Sequence, residues 1–407
     1  MVIQTLKGFR DFLPKEAKKR QYVLDTLKKV FESYGFEPLE TPSLEYEEIL
    51  LGKYGSEGDK LMYRFEDNGK RKVALRYDQT VPLARVVAQY QNELPMPFKR
   101  YQIQNVWRAE NTQKGRYREF LQCDIDTVGS NSISTDAEII ACILDATRKL
   151  NFKGYSMRIN DRQIFKNYNL SPKAIVELDK TDKEGPIVFL KQLMLEGKSN
   201  QEGDAIFDAI VKSKQTKNIQ DLFSVLRSMG YKEGRNKDFW FDQTLARGLD
   251  YYTGLIFELR MESYGALSIG GGGRYDNLIG MFAGKQIPAV GFAFGFDRLV
   301  EAMGELNLFP KDLQTTKVLV TIFSPELLSK SAEITALLRA KGINTEIYLE
   351  EDAKMDKQLK YADKKQIPYV VIIGPDEVSK NMVTLKNMQT RGQKTIPQNE
   401  IEKLLAS

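Results

Sequence analysis

The chain has no histidine, and only two cysteines, Cys123 and Cys142, in 407 residues. The first absence removes the usual general base near neutral pH. With no CxxC pair either, a tetrahedral zinc site and a Cys/His nucleophile are excluded. Chemistry here must run on Arg, Asp, Glu, Lys, Tyr, backbone dipoles or a bound metal. No apolar run approaches the roughly 20 residues of a membrane span. Residues 1–10 lack both the apolar core of a secretory signal and the Arg/Ser bias of a presequence. The expected location is a reducing cytoplasm, without a membrane partner. Charge of one sign is scarce too: 60 basic against 55 acidic residues leave +5, so any nucleic-acid surface has to be local. A chain of 407 residues, 42% hydrophobic and 28% charged, is ordinary globular material for two or three domains.

What is present is organised around residues 99–126. Alternation puts Tyr101, Ile103, Asn105 and Trp107 on one side of a strand, and Gln102, Gln104, Val106 and Arg108 on the other. A polar, basic loop over 110–118 turns at Gly115. A second strand, 119–126, aligns Gln122, Asp124 and Asp126. Paired antiparallel, the arms present Arg108, Gln122 and Asp126 to one side, below a loop carrying Lys114, Arg116 and Arg118. A guanidinium on a rigid strand, with carboxylates beside it and a cationic loop above, suits a ligand with both phosphates and an ammonium group. An ordinary hairpin with a solvated charged tip is the alternative from this stretch alone.

Upstream, Pro14 opens a helix with Val23, Leu27, Val30, Phe31 and Tyr34 at helical spacing and Gly35 at its C-cap. An extended stretch broken by Pro38 and Pro42 follows; the two form either a dimer interface or a core helix with an edge strand. Residues 61–66 and 73–76 pair around a turn at 67–70. Pro82 starts a helix running to about Tyr90, with Asp78 and Thr80 at its entry as caps or as holders of an ammonium. Beyond the hairpin come a helix at 136–150 and a strand at 157–160. A Lys- and Glu-rich helical insertion then covers about 165–235, with helices at 171–180, 186–195, 204–213 and 219–229. Strands return at 239–244 and 255–261. The glycine-rich stretch 268–274 lacks the pattern of a P-loop or a dinucleotide fold. Its glycines instead let backbone and ligand, or two strands, approach closely. A last strand from 289 runs into a helix bearing Arg298.

Residues 306–316 read as a linker. From Lys317 a β-α-β-α-β pattern, a hairpin and a closing helix make a compact α/β binding module. Lys354, Lys357, Lys360, Lys364 and Lys365 cluster on one of its helices, either to contact phosphates or simply to be solvated.

Arg108, Arg247 and Arg298 come from separated segments, each expected at a strand or strand–helix junction. Arginine stays charged, binds phosphate in forked geometry and stabilises charge at a phosphorus centre without a general base. The stretches L-R-Y-D-Q-T (75–80), V-W-R-A-E-N-T-Q-K-G-R-Y-R-E-F (106–120), L-A-R-G-L-D-Y-Y-T-G (245–254), G-G-G-R-Y-D (271–276) and G-F-A-F-G-F-D-R-L (291–299) resemble class II aminoacyl-tRNA synthetases, and more closely the histidyl family. The resemblance covers nearly the whole chain. It implies an α+β fold: an antiparallel catalytic sheet flanked by helices over 1–312, with the insertion at about 165–235, and an anticodon-binding-like α/β domain over 317–407. It implies ATP-dependent activation of L-histidine to histidyl-adenylate and transfer to the 3′ end of histidine tRNA. ATP would enter with Mg2+ as its substrate complex, with no structural metal, and the protein would pair as a homodimer through the first helix and the Pro42 strand.

Carried over residue by residue, the resemblance puts Arg108 on the α-phosphate and the substrate carboxylate. Glu110 lies by the adenine, Phe120 stacks on it, Arg116 belongs to the ATP site and Arg298 holds the γ-phosphate. Arg247 takes the place of a catalytic magnesium, bridging the α-phosphate and the attacking carboxylate. Asp78, Thr80 and Gln122 match residues that hold the α-ammonium, with Gln79, Arg108 and Arg247 also in the histidine site. Asp126 and Tyr252, with Tyr251 alongside, resemble the imidazole pocket, and Gln113 the contact to the tRNA acceptor end. Leu121 stands where bacterial members often have His, and Thr112 where Pro is frequent. Two rivals are a regulatory paralogue that has lost the motif arginines and the C-terminal module, and a synthetase for another amino acid sharing that module.

Overall fold

The computed structural model describes residues 3–112, 115–248, 251–264, 267–310, 313 and 315–405. It separates into two compact units, Met1–Phe309 and Pro310–Ser407. Among the described residues the first is built on a sheet of eight strands. Their spatial order is Glu37–Pro38, Phe98–Trp107, Glu119–Val128, Ala289–Gly295, Leu267–Arg274, Leu255–Met261, Tyr155–Asp161 and Phe239–Phe241. The short end strands pair in parallel and the interior pairs are antiparallel.

The period of two along each strand divides the sheet into an oily face and a polar one. Cys123 and Ile125 enter the main core, beneath the helices Pro14–Ser33, Ile133–Lys149 and Lys217–Ser228. Gln122, Asp124 and Asp126, one residue out of phase, are buried on the opposite side. The first helix starts with proline in its first turn and buries Val23, Leu27, Val30 and Phe31. It ends where Gly35 adopts φ +76°, a conformation that costs glycine little. The stretch after it contributes only the two-residue edge strand Glu37–Pro38 and, past Pro42, the strand Leu44–Tyr46 of a small second sheet.

Several boundaries move. Residue 61 does not begin a strand: Leu61 caps the helix Gly55–Lys60, and the strand is Arg64–Glu66, paired with Lys72–Leu75. The helix attributed to Pro82 begins at Thr80, because Asp78 Oδ1 accepts from the backbone N–H groups of Thr80 and Val81 at 3.0 and 3.1 Å. The insertion is not one body. Its helices Pro172–Asp179, Ile187–Leu195 and Asn200–Val211 pack with Leu245, Ala246 and Tyr252 in a separate cluster. Lys217–Ser228 instead sends Ile219, Leu222, Phe223 and Leu226 into the main core.

The second unit has a five-stranded sheet in the order Thr345–Ile347, Val318–Val320, Tyr369–Ile372, Met382–Asn387 and Gln393–Pro397. Its first three strands are parallel and the last two are added antiparallel. The helices Leu328–Ala340, Met355–Lys364 and Ile401–Leu405 occur where the sequence places them; the short helix Pro375–Ser379 was not anticipated. On the lysine-bearing helix, Lys357 pairs with Glu350 and Lys360 with Asp356, while Lys365, which caps it, pairs with Glu346. These exposed pairs offset part of the charge expected to meet phosphates. No helix among the described residues is long and apolar enough to cross a membrane.

Candidate active site

The polar face of the sheet opens into a cavity of about 380 Å³, within the usual range for small-molecule sites. Arg108, Arg247 and Arg298, between 51 and 190 residues apart in sequence, all line it. So do Asp78, Thr80, Glu110, Arg116, Phe120, Gln122, Asp126, Tyr251 and Tyr252.

Each arginine is held differently. Arg108 follows the first hairpin arm, donates from Nε to the Tyr77 carbonyl at 3.1 Å, and lies between the Tyr77 and Phe120 rings, 4.4 and 5.2 Å from their centroids. Arg298 sits in the first turn of the helix Phe296–Glu305 and donates from Nη1 to the Ser268 carbonyl at 3.2 Å. Burial, reinforced by the like charge of Arg116, lowers its pKa. Among the described residues neither Arg108 nor Arg298 is ion-paired, so both charges are available to an anion.

Arg247 departs from expectation. It lies in a loop beyond the strand Phe239–Phe241, not at a strand or helix junction. What fixes it is Glu258 on the neighbouring strand, 3.3 Å from Nη1, together with the glycine-rich strand beneath. A Cβ at Gly271 would stand 2.5 Å from Arg247 Nη1 and 2.6 Å from Cζ, so only glycine leaves room for the guanidinium to lie against the strand. Burial by itself would lower the Arg247 pKa; nearby Tyr252 and Glu258 outweigh it and raise it.

Buried carboxylates also line the cavity. The hairpin register sets Arg100 opposite Asp126, Gln102 opposite Asp124 and Gln104 opposite Gln122. Arg100, fully buried, pairs with Asp126 Oδ2 at 2.6 Å, and the Tyr275 hydroxyl donates to Oδ1 of the same carboxylate. Gly291, on the strand alongside, is also obligatory, because a Cβ there would collide with the Asp126 carboxylate. Tyr54 donates to Asp78 Oδ1 at 2.8 Å, which with the two backbone N–H groups places every hydrogen bond to Asp78 from the described residues on that oxygen. Burial raises the pKa of Asp78 and of Asp126, the latter against the opposing pull of Arg100. Asp124 is pushed up to about 8, by burial first, with Arg100 pulling it down and Asp126 pushing it up. Arg108 pulls the pKa of Asp78 down against its burial, so each of the three carboxyl groups has one guanidinium acting on it.

One expectation changes, and one falls outside the described residues. Gln79, placed among the histidine-binding residues, does not line the cavity. It is fully buried behind the hairpin and donates from Nε2 to the carbonyls of Gln104 and Gln122 at 2.8 and 3.1 Å, so it braces the two arms. Gln113 lies outside the described residues. Asp124 had been aligned with its neighbours but given no role, and Arg100, Tyr54, Tyr275 and Glu258 were missed. Carrying the alternation of the first arm two residues further back would have found Arg100 on the same face as Gln102 and Gln104. Nothing local marks Tyr54. Among the described residues no group of three or more Cys, Asp or Glu is arranged to hold a metal ion, and Mg2+ enters the account only with ATP as substrate.

Residues 8–299 match the family model described as histidyl-tRNA synthetase, and residues 317–407 match that of an anticodon binding domain. A histidine–tRNA ligase of Cytophaga hutchinsonii is 38% identical, with 94% of this chain and 94% of that one covered. One of Wolinella succinogenes is also 38% identical, over 96% of this chain and 95% of its own. The crystal structure of histidyl-tRNA synthetase from Nostoc sp. PCC 7120 is similar with a TM-score of 0.86 and 31% identity, covering 100% of this chain and 99% of that one. A model spanning well over half of the chain and relatives of this identity over nearly all of it lead to one conclusion: the chain belongs to the histidyl-tRNA synthetase family.

Proposed function

We propose an assignment of the ligase reaction to the residues around this cavity. The activity itself follows from family membership: the chain is an ATP-dependent ligase that activates histidine and charges tRNA. In the assignment, ATP with its Mg2+ lies along the cationic end. Phe120 stacks on the adenine and Glu110 accepts from its amino group. Arg116 and Arg298 take the terminal phosphates, and Arg108 holds the α-phosphate and the histidine carboxylate. Asp78, Thr80 and Gln122 receive the α-ammonium, the free Asp78 Oδ2 included. Asp126, with Tyr251 and Tyr252, meets the imidazole ring, where a buried partner for each ring nitrogen penalises analogues that leave those groups unpaired.

Arg247 bridges the carboxylate and the α-phosphate, so that in-line attack is driven by positioning and by fixed positive charge. Carboxylate oxygen bonds to the α-phosphorus, the bond to the bridging oxygen breaks, and pyrophosphate leaves. In the second step the terminal ribose hydroxyl of tRNA attacks the adenylate carbonyl, the bond from that carbon to the phosphate oxygen breaks, and AMP leaves. With no imidazole in the protein, a phosphate oxygen of the adenylate accepts the hydroxyl proton. The second unit receives the anticodon region of histidine tRNA, and a second copy docks through the first helix and the stretch carrying Pro42, which lies between the strands Glu37–Pro38 and Leu44–Tyr46, in the cytoplasm.

The observation that carries the assignment is the convergence of three guanidiniums from distant segments on one cavity that three buried carboxyl groups also line. ATP–pyrophosphate exchange with each of the twenty amino acids, followed by charging of histidine tRNA, tests it. Exchange dependent on histidine alone is expected; exchange with another amino acid, or none, defeats it. Light scattering at micromolar concentration tests the homodimer, and a monomeric mass removes it.

A further inference from the structure

Gln122 carries one of the few orphaned acceptors of the first unit. Its side chain is more than nine-tenths buried and lines the cavity, and its Oε1 has no hydrogen-bond partner among the described residues. A buried carbonyl oxygen left unpaired is costly unless a ligand completes it. A carboxamide turns either its oxygen or its nitrogen to a given side, and the two faces ask for opposite partners. Asp124, two residues on and on the same strand face, settles the choice: Gln122 Nε2 sits 3.1 and 2.8 Å from its two carboxyl oxygens. One of those oxygens accepts whether or not Asp124 carries a proton. Nε2 is thereby tied down, and Oε1, screened from solvent and without a partner among the described residues, is the acceptor left over.

We propose that Asp124 is a positioning residue for histidine recognition, holding the Gln122 carboxamide so that its oxygen, and not its N–H groups, is the acceptor left for the substrate ammonium. The inference rests on the assignment of Gln122 to that ammonium. Arg100 and Asp126 belong to the same device: their ion pair engages the cation of the cluster, which leaves the Asp124 oxygens to the amide. Without Asp124 the carboxamide is free to turn, and a population with N–H groups facing the ammonium repels it.

Steady-state exchange kinetics with Asp124→Ala, Asp124→Leu, Asp124→Asn and Gln122→Ala tests this, with thermal melts to establish folding. Leu keeps the branched shape of Asp without a polar atom, at a larger volume, and serves if the Ala variant fails to fold; Asn keeps an acceptor for Nε2. The KM for histidine is expected to rise about 10- to 100-fold in the Ala and Leu variants, the worth of an oriented hydrogen bond to a charged group. The KM for ATP should stay within about twofold, and Asp124→Asn should recover most of the loss. Binding of 3-(imidazol-4-yl)propionate, which lacks the ammonium, should be indifferent to Asp124, whereas histidinol, which keeps it, should weaken as histidine does. A histidine KM unmoved in Asp124→Leu, an equal rise in both KM values, or equal weakening of the two analogues overturns the proposal. An unmoved histidine KM in Gln122→Ala means instead that the assignment of Gln122 fails; a raised value there, with Asp124→Leu unaffected, sinks the role of Asp124 alone.

Discussion

The two ends of the cavity solve opposite electrostatic problems. At the cationic end, Arg108 and Arg298 lean on backbone carbonyls and aromatic faces, so their charges are oriented but not neutralised. On the acidic side, Asp78, Asp124 and Asp126 are buried: Arg100 pairs with Asp126, the charge of Arg108 acts on Asp78, and burial raises the pKa of all three. Fixed, unsatisfied charge is how a rigid site favours a ligand that carries the complement, because the polar groups are already paid for by the fold. A substrate pair consisting of a polyphosphate and an amino acid with a cationic head matches both ends at once. Glu258 differs from the acidic cluster: it lies between Arg247 and Arg158, 3.3 and 3.2 Å away, and steadies the Arg247 guanidinium.

The contrast can be broken most severely in the middle. Arg247→Ala should lower histidine-dependent exchange by about three orders of magnitude, the scale of losing a positioned charge at the reacting phosphorus, with a melting temperature close to that of the parent. Near-normal exchange removes its role. A milder break is Gly271→Ala, which forces the Arg247 guanidinium off the strand. About a 10- to 100-fold fall in kcat is expected, as for a displaced catalytic group, while the KM for ATP is largely retained; unaltered kcat would show that Arg247 does not need that seat.

The smallest effect concerns stability. Asp124 keeps its proton in the folded chain up to about pH 8, whereas the unfolded chain releases it in the ordinary carboxylate range. The folded state therefore binds more protons in between. The stability this contributes is fully present below the ordinary carboxylate range and is lost as pH rises towards 8. Asp124→Asn, which does not titrate, should flatten that decline. Its melting temperature relative to the parent should rise by a few degrees, roughly 2–4 °C, between pH 5 and pH 8, as thermal denaturation at the two pH values would measure. A difference that does not change with pH contradicts a proton held there.

Much of this was legible in the chain. The hairpin alternation put Arg108, Gln122 and Asp126 on one face, and the observed pairing agrees. The core side of the first helix followed from Val23, Leu27, Val30 and Phe31 at helical spacing. The glycine-rich stretch was read as a place of close approach, and Gly271 and Gly291 are such places. What was missed has physical reasons. Gln79 adjoins Asp78 and Thr80 in sequence, but the helix entry turns it inward to brace the hairpin. Arg247 is seated by contacts from strands distant in sequence, which no local pattern announces. The helix Asn200–Val211 was begun four residues late although Ser199 and Glu202 form a capping box that the sequence displays. Tyr54 reaches Asp78 only through tertiary folding.

The division of labour between the two ends is tested most directly by measuring both Michaelis constants in Arg298→Ala and in Asp126→Asn. Arg298→Ala should raise the KM for ATP about 10- to 100-fold and leave that for histidine within about twofold; Asp126→Asn should do the reverse. Were either variant to raise both constants together, or to raise the other substrate's constant, the cavity would not be partitioned by charge and the account would be contradicted.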